Sequence, residues 1–324
     1  MNTGYLYALC AFGIWGIFPL YFQFIARVSA VEVVLQRSVW SLVFVLGLLA
    51  WQRQWAWLGD TLRQPRRMGI FMASALLLSC NWLTYVYAVQ NSQIAEASLG
   101  YFINPLVNVL LGVVVLRERL KPVQWVAVGL AAAGVLWLTW HAGRLPWIAL
   151  VLAGSFGVYG LIRKTAPLGA LEGLAMENLL LAPIVVPALI WWTMVHGGAM
   201  AQGDVRLTGW LLLSGPLTAL PLLCFAAAAR RLPLAMLGMV QYASPTLQLL
   251  LAIFYFHEPF DSQRLLGFAL IWSALLLISA DGLRAPIRAL RAGPKASGAA
   301  PEPGSTAPAV APGARADPSG HAAR

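Results

Sequence analysis

The chain has 324 residues, of which 60% are hydrophobic and only 10% are charged, and its formal net charge is +10. Soluble domains contain about 25% charged residues, and one aqueous core cannot bury this much apolar surface, so the excess must face lipid. This composition excludes soluble enzymes, nucleic-acid-binding proteins and secreted disulfide scaffolds. In a membrane protein, a basic excess is instead typical of loops that stay in the cytoplasm.

Ten apolar stretches are long enough to cross a bilayer, because a hydrocarbon core of about 30 Å needs about 20 helical residues. In chain order, the predicted spans are residues 4–24, 33–51, 68–90, 96–116, 123–140, 146–163, 174–195, 208–229, 236–256 and 264–281. The first stretch has no basic segment before it and is too long for a signal-peptide core, so we predict that it stays as a span. The last residues, 284–324, are rich in Ala, Pro, Gly and Ser without periodicity, which predicts a disordered tail.

The distribution of Lys and Arg predicts that both termini lie in the cytoplasm. If the N-terminus is inside, 17 of the 22 basic residues fall in inner loops or in the tail, four fall in outer loops, and Arg37 falls inside a span. Cytoplasmic loops of membrane proteins carry such an excess. A single miscounted span would remove the asymmetry, so the charges also support the count of ten.

The two halves of the chain resemble each other at a shift of about 140 residues. Pro105 and Glu118 are 13 residues apart, and so are Pro245 and Glu258. Five spans in each unit is an odd number, so the second unit must be upside down, and the loop charges change with it. We therefore predict an all-α membrane protein of ten transmembrane helices in two inverted five-helix repeats, an architecture common among secondary transporters. A duplicated scaffold without transport is the alternative. The predicted units are residues 1–140, residues 146–283 and a cytoplasmic tail over residues 284–324.

Polar side chains recur at equivalent positions of the fourth and ninth spans. The two stripes are Tyr101, Asn104 and Asn108 on the fourth span and Gln241, Ser244 and Gln248 on the ninth. At 100° per residue, each stripe covers an arc of about 60°. Polar groups inside spans usually face the bundle interior or a water-filled cavity, so we predict that the stripes line opposite walls of a hydrophilic cavity. Hydrogen bonding between helices without substrate contact is the alternative.

Three charged residues are candidates for coupling or gating. Arg37 and Glu177 occupy equivalent positions of the two halves, and inversion separates them by about 15 Å along the membrane normal, so we do not expect them to pair. Glu177 is the candidate for proton coupling or gating, with structural hydrogen bonding as the alternative. For Arg37, lipid anchoring and helix packing compete with substrate contact. Glu96 either favours the N-terminus of its own helix or stands at the cavity mouth.

Four further residues are candidates for the cavity wall. Trp15 and Tyr159 recur near the middle of the first and sixth spans, each flanked by glycines. Either they fill the gap between closely packed helices, or they form aromatic platforms for an aromatic or amphipathic solute. Asn81 and Thr84 are predicted to extend the polar wall along the third span.

The sequence contains no motif for catalysis or metal binding. We find no Walker loop, no H-E-x-x-H and no G-x-S-x-G, and the 12 acidic residues form no paired clusters of the kind that metal-dependent enzymes use. Cys10, Cys80 and Cys224 lie in apolar stretches without metal-ligand spacing and are interpreted as small core residues. We therefore expect no enzymatic activity, no cofactor and no metal.

One long segment, residues 96–108, is similar to the RarD group of the EamA-type transporters in the drug/metabolite transporter superfamily. Other matching segments are residues 14–16, 37–41, 81–82, 117–119 and 221–225. The resemblance covers about residues 1–283. It implies the ten-helix drug/metabolite transporter fold and a permease of the bacterial inner membrane, and it implies neither a particular substrate nor a set of functional residues.

Together these features predict a secondary transporter, a permease or exporter that works by alternating access around a cavity between the two halves. We expect spans one, three, four, six, eight and nine to line the cavity, a small metabolite or drug-like solute as substrate, and a proton gradient as one candidate energy source. A flippase for a lipid or lipid-linked solute and a non-transporting scaffold are the alternatives. The expected partners are the solute and the lipid bilayer, with no nucleic acid. The oligomeric state stays open, although a monomer is sufficient.

Overall fold

A computed structural model describes residues 3–53, 55–91, 93–141, 147–257 and 262–291, and these ranges contain helices but no strand. The helices are α1 (Thr3–Gly16), α2 (Phe18–Phe22), α3 (Ala30–Gln52), α4 (Ala56–Leu62), α5 (Pro65–Gln90), α6 (Ile94–Val114), α7 (Pro122–His141), α8 (Trp147–Thr165), α9 (Ala170–His196), α10 (Val205–Ala229), α11 (Leu234–Gln241), α12 (Ala243–Phe254) and α13 (Ser262–Arg291). Two short 3-10 helices cover Gln23–Ile25 and Ala199–Gln202.

Within the described residues, nine helical stretches are long and apolar enough to cross a membrane, and a shorter apolar stretch, Leu265–Ile278, lies in α13. These ten stretches correspond to the ten predicted spans, and the protein is a multi-pass, all-α membrane protein. Helix α13 continues through residues 284–291. The rest of the predicted tail, residues 292–324, lies outside the described residues.

Two of the spans are interrupted near a proline. In the first span, α2 begins at Phe18 with Pro19 in its first turn, where the missing N–H of proline does no harm. In the ninth span, α11 ends at Gln241, four residues before Pro245. A proline removes the N–H that would bond the carbonyl four residues earlier. Trp15 and Gln241 therefore each have a main-chain carbonyl without its usual helical donor.

Helix contacts repeat between the two halves of the chain. Helix α1 packs against α10, α11 and α12, and its counterpart α8 packs against α5 and α6. The pairs α3–α10 and α9–α5 are likewise equivalent, while α3–α9 and α6–α11 each pair a helix with its own counterpart, and all of these contacts join the two halves. This exchange supports the inverted-repeat architecture, and the unit boundaries at residues 140 and 146 stay predictions.

Small residues allow the closest of these contacts. A Cβ atom on Gly215 of α10 would overlap the main-chain carbonyl of Trp40 on α3, and one on Gly238 of α11 would lie 2.6 Å from the carbonyl oxygen of Pro105 on α6. Helices in lipid gain stability mainly from close van der Waals packing, since no hydrophobic force drives them together. These two glycines therefore fix how near α3 and α6 come to their partners in the second half.

The bundle has two ends that can be told apart by contacts. Helix α1 begins where α10 ends and α11 begins, since Gly4 lies against Leu232. We call this the N-terminal end, and we call the other the opposite end. A buried apolar core that includes Phe12, Phe225 and Leu234 fills the bundle towards the N-terminal end.

Candidate functional site: a cavity between the helices

A cavity of about 520 Å³ lies between helices of both halves, towards the opposite end of the bundle. Its walls come from α1, α2, α3, α5, α6, α8, α10, α11 and α12. Its volume is in the range of about 300–1,000 Å³ typical of small-molecule sites. Gln23, Ala26 and Ile94 belong to its wall and are exposed, so it reaches the surface at this end.

Eight of the thirteen candidate residues line this cavity: Trp15, Arg37, Asn81, Tyr101, Asn104, Gln241, Ser244 and Gln248. The other five, Thr84, Glu96, Asn108, Tyr159 and Glu177, are not part of its wall. The second span, which was not expected to contribute, supplies Arg37.

The two polar stripes face each other. The side-chain amide of Asn108 donates to Oε1 of Gln241 at 2.8 Å, which joins α6 to α11 beneath the cavity. The amide of Gln248 donates to the main-chain oxygen of Trp15 at 3.1 Å, the carbonyl left without a helical donor by Pro19. Each stripe therefore has members in the wall and members that hold helices together.

Asn104 keeps unused hydrogen-bonding capacity. It lines the cavity, is 4% exposed, and its Oδ1 atom has no hydrogen-bond partner within the part of the chain that the structure describes. A buried polar atom without a partner is costly, so this oxygen is an acceptor available to a ligand or to water. On the third span, Asn81 instead donates to the main-chain oxygen of Leu152 at 2.9 Å and to Oγ of Ser155 at 3.0 Å.

Arg37 projects into the cavity and is held on two sides. Its Nε donates to Oγ1 of Thr218 at 3.1 Å, and its Cζ lies 4.7 Å from the ring centre of Trp82. A guanidinium over an indole face is stabilised by cation–π attraction. Among the described residues, the ionisable groups that interact electrostatically with it are the hydroxyls of Tyr21, Tyr85 and Tyr101.

An aromatic cluster forms the end of the cavity that lies nearer the core. Trp15 and Phe156 line the cavity and meet edge to face, with ring centres 5.6 Å apart. Tyr159 is fully buried behind them and stacks on Phe225 at 6.1 Å. Of the two aromatic residues predicted as platforms, Trp15 therefore lies in the wall and Tyr159 lies in the packing beneath it.

Glu177 belongs to a buried ion pair that sequence reasoning missed. Nη1 of Arg163 lies 3.4 Å from Oε1 of Glu177, and both side chains are 1% exposed. Ser74 donates to the same oxygen at 2.6 Å, and the hydroxyl of Tyr159 lies 3.4 Å from Oε2. Gly173 leaves the space for this pair, because a Cβ atom there would overlap the guanidinium of Arg163. Arg163 was counted as an inner-loop charge, although it follows Tyr159 by four residues and therefore shares its helix face.

Two other buried carboxylates accept hydrogen bonds from the starts of neighbouring helices. Oε1 of Glu96 accepts from the main-chain N–H of Ile148 at 2.9 Å, in the first turn of α8. Oε1 of Glu32 accepts from the main-chain N–H of Ala199 at 2.7 Å. Glu96 lies in the first turn of its own helix α6, in keeping with one of its two interpretations, and its carboxylate also accepts from the first turn of α8.

Reciprocal polar contacts close the N-terminal end. Nζ of Lys164 donates to the main-chain oxygens of Leu232 at 2.5 Å and Ala229 at 3.2 Å. Nη1 of Arg230 donates back to the main-chain oxygens of Leu168 at 2.5 Å and Ala166 at 3.0 Å. These four contacts join the end of α8 and the α8–α9 connection to the end of α10 and the α10–α11 connection, and we call them the carbonyl latch.

Glu118 adds further polar contacts at the same end of the bundle. Its two carboxylate oxygens accept from the main-chain N–H groups of Leu234 at 2.6 Å and Ala235 at 2.9 Å, the first residues of α11, and it lies 3.8 Å from Lys164. A carboxylate at a helix N-terminus is favourable. The two halves are therefore joined at this end by charge-assisted bonds.

An exposed ion pair lies at the opposite end. Arg27 donates to Asp204, and Asp204 also accepts at Oδ1 from the main-chain N–H of Leu207 at 3.0 Å, as the N-cap of α10. The hydrogen bond from Leu207, followed by that from Arg27, lowers the pKa of Asp204 below its usual value. Within the described residues, no cluster of three His, Cys, Asp or Glu side chains could hold a metal ion.

Comparisons with known proteins agree with this architecture. Residues 2–140 match the EamA-like transporter family. An uncharacterized transporter of Pseudomonas aeruginosa is 48% identical over 88% of this chain and 95% of its own length. The protein RarD of Streptomyces exfoliatus is 45% identical over 87% of this chain and 90% of its own length, and that of Escherichia coli is 42% identical over 87% and 95%.

A solved structure, described only as the crystal structure of a protein, is 18% identical and shares the fold, with a TM-score of 0.67 over 88% of this chain and 98% of that one. The names of the relatives indicate a transporter rather than an enzyme. The match to the family and the sequence identity to the RarD proteins establish that this chain belongs to the RarD group of the EamA-like transporter family.

Proposed function

We propose that the protein is a secondary transporter that moves a small amphipathic metabolite or drug-like solute across the bacterial inner membrane by alternating access. Family membership supports a membrane transporter in general, while the alternating-access mechanism and the kind of substrate are proposed here. The observation that carries it is a cavity of about 520 Å³ that reaches the surface at one end and is closed at the other. Inverted repeats give such a cavity two near-equivalent access states.

The proposed orientation follows from the loop charges. With both termini in the cytoplasm, the N-terminal end of the bundle faces inward and the cavity faces outward. The carbonyl latch then closes the cytoplasmic side, and transport requires it to open. Export corresponds to loading through the opened latch and release at the opposite end.

Glu177 is the proposed coupling group. It lies with Arg163 in a buried network behind the aromatic end of the cavity, between the cavity and the latch. Protonation of Glu177 would remove its attraction to Arg163 and would therefore weaken the side-chain contact that joins α8 to α9. Ser74 and Tyr159 also satisfy a carboxylate in a purely structural role, so the coupling role is decided by experiment.

The test is flux into liposomes that contain the purified protein, with a panel of amphipathic metabolites and drugs and with an imposed pH gradient. Asn104→Leu and Gln248→Leu should each reduce flux of a transported solute by about tenfold or more, since each removes a polar group of the wall. Gln202→Leu, an exposed position outside the cavity, is the matched control and should leave flux unchanged. Unchanged flux in both wall variants would contradict the assignment of the cavity.

The coupling role has its own measurement. Glu177→Gln should abolish the dependence of flux on the pH gradient while flux down a solute gradient continues. A variant that still responds fully to the pH gradient would leave Glu177 with a structural role only. Movement of a fluorescent phospholipid between leaflets, without solute flux, would favour the flippase alternative.

A further inference from the structure

Arg37 is a cation inside a membrane-spanning helix, and no carboxylate of the described residues pairs with it. It lies in α3, and the ionisable side chains of the described residues that interact with its guanidinium are three tyrosines, whose hydroxyls are neutral at physiological pH. A charged residue in a span normally pairs with an opposite charge or faces a functional pathway. The absence of a counter-charge among the described residues therefore needs an explanation.

The buried carboxylates of the described residues are already occupied elsewhere. Glu32 and Glu96 accept from the main-chain N–H groups of Ala199 and Ile148. Glu177 is paired with Arg163. None of these groups is among those that interact electrostatically with Arg37, so the compensating charge is not supplied by the packed core.

The guanidinium is held so that its outer edge stays available. Nε is used by Thr218 and one face of the group lies over Trp82. Within the described residues, the hydrogen bond of Arg37 is made by Nε and none is made by either Nη atom, and the residue lies in the cavity wall. This leaves the forked pair of donors that binds a carboxylate or phosphate with two parallel hydrogen bonds.

The surroundings specify the rest of the ligand. Aromatic rings of Trp15, Phe156 and Tyr85 line the same cavity and suit an apolar or aromatic body. The free Oδ1 of Asn104 accepts an N–H or O–H group.

We infer that the cavity takes an amphipathic organic anion, whose carboxylate or phosphate group binds the Nη edge of Arg37 while its apolar body packs on the aromatic wall. This inference rests on the proposed function, since it names the chemical class of the transported solute. An anionic lipid headgroup offers the same oxyanion, and the experiment distinguishes the two sources.

The experiment measures binding to the full-length protein in phosphatidylcholine nanodiscs by isothermal titration calorimetry. The probes are indole-3-acetate, its neutral amide indole-3-acetamide, the cation tryptamine, and phenyl phosphate. The wild-type protein should bind at least one of the two anions about tenfold or more tightly than the amide and tryptamine, since hydrogen bonds to a charged group are worth about a factor of ten or more. Equal affinity for the acid and the amide, or no binding of either anion, would overturn the inference without any variant.

Substitutions then locate the effect. Arg37→Gln should weaken binding of the anion by about ten- to a hundredfold and leave the amide unaffected, and Arg37→Lys should fall between them because it keeps the charge but loses the fork. Arg206→Gln removes the same charge from an exposed position at the same end and should change nothing. Unweakened anion binding in a folded Arg37→Gln protein would also overturn the inference.

Further measurements identify the source of the oxyanion and distinguish failure of the ligand class from failure of the proposed transport function. Competition by phosphatidylglycerol in the nanodisc would identify a lipid headgroup as the source of the oxyanion, and binding unaffected by it would identify a free solute; both sustain recognition of an oxyanion. Anion binding without any solute flux would refute the transport mechanism and leave the ligand class standing. Flux of a neutral or cationic solute that indole-3-acetate and phenyl phosphate do not inhibit would refute the ligand class and leave the transport mechanism standing.

Discussion

The buried ion pair between Arg163 and Glu177 should be strongly coupled in stability. Removing one partner of a buried pair costs about 3–5 kcal/mol, mostly because the other charge stays behind unpaired. In Arg163→Met, Glu177 keeps the hydrogen bond from Ser74 at 2.6 Å, so we expect the lower end, about 3 kcal/mol. In Glu177→Gln, Arg163 keeps two main-chain oxygens, at 2.9 and 3.3 Å, so we again expect about 3 kcal/mol.

The double variant Arg163→Met/Glu177→Gln contains no unpaired charge and should lose less than the sum of the two single losses, with a coupling of at least about 1 kcal/mol. Equilibrium unfolding in detergent micelles, read by far-ultraviolet circular dichroism, gives the four free energies of this cycle. The exposed pair Arg27 and Asp204 is the matched control and should show weaker coupling, since solvent screens it. Additive losses at Arg163 and Glu177 would refute the reasoning that their charges depend on each other.

Three further outcomes follow from the packing and the charges. Gly215→Ala should destabilise the protein by about 1–3 kcal/mol through forced separation of α3 and α10, whereas Gly209→Ala on the same helix, which has open space around it, should be neutral or slightly stabilising; equal unfolding midpoints would contradict this. The sulfur atoms of Cys10 and Cys224 lie 3.6 Å apart, so a lipid-soluble oxidant should form a disulfide that links α1 to α10. After cleavage at an engineered protease site between α7 and α8, non-reducing electrophoresis should then show one band, whereas two bands would mean that α1 and α10 do not meet. Because the pKa of Asp204 is lowered in the folded protein, its ionised form stabilises the fold at pH values above the usual aspartate pKa of about 4, and this contribution is lost as the pH falls through the lower folded value. The difference in Tm between wild type and Asp204→Asn should therefore shrink only below about pH 4.

Hydrophobic length and polar periodicity were enough to predict the spans and the facing stripes. These features are local, because about 20 apolar residues can satisfy their backbone in lipid only as a helix. The same periodicity placed Asn104 and Gln248 on cavity-facing arcs, and both line the cavity. The assignment of substrate contact to these residues stays a prediction until flux is measured.

Contacts between distant segments could not be predicted in this way. Glu96 bonds to Ile148 across 52 residues, and the Trp15 carbonyl accepts from Gln248 across 233. Periodicity assigns a residue to a face of its own helix but does not say which helix lies opposite. Arg163 shows a second limit, because a count of loop charges treats every Arg near a span end as solvated.

The carbonyl latch has a consequence for how the protein can leak. Lys164 at the end of α8 and Arg230 after α10 each donate to main-chain oxygens close to the other cation, so separating these two segments breaks both sets of bonds together. Because the contacts are reciprocal, conformations with only part of the latch broken are disfavoured, and an all-or-none transition is favoured. If the latch is the proposed cytoplasmic closure, it would open in discrete transport cycles and would limit the proton leak that dissipates the membrane gradient.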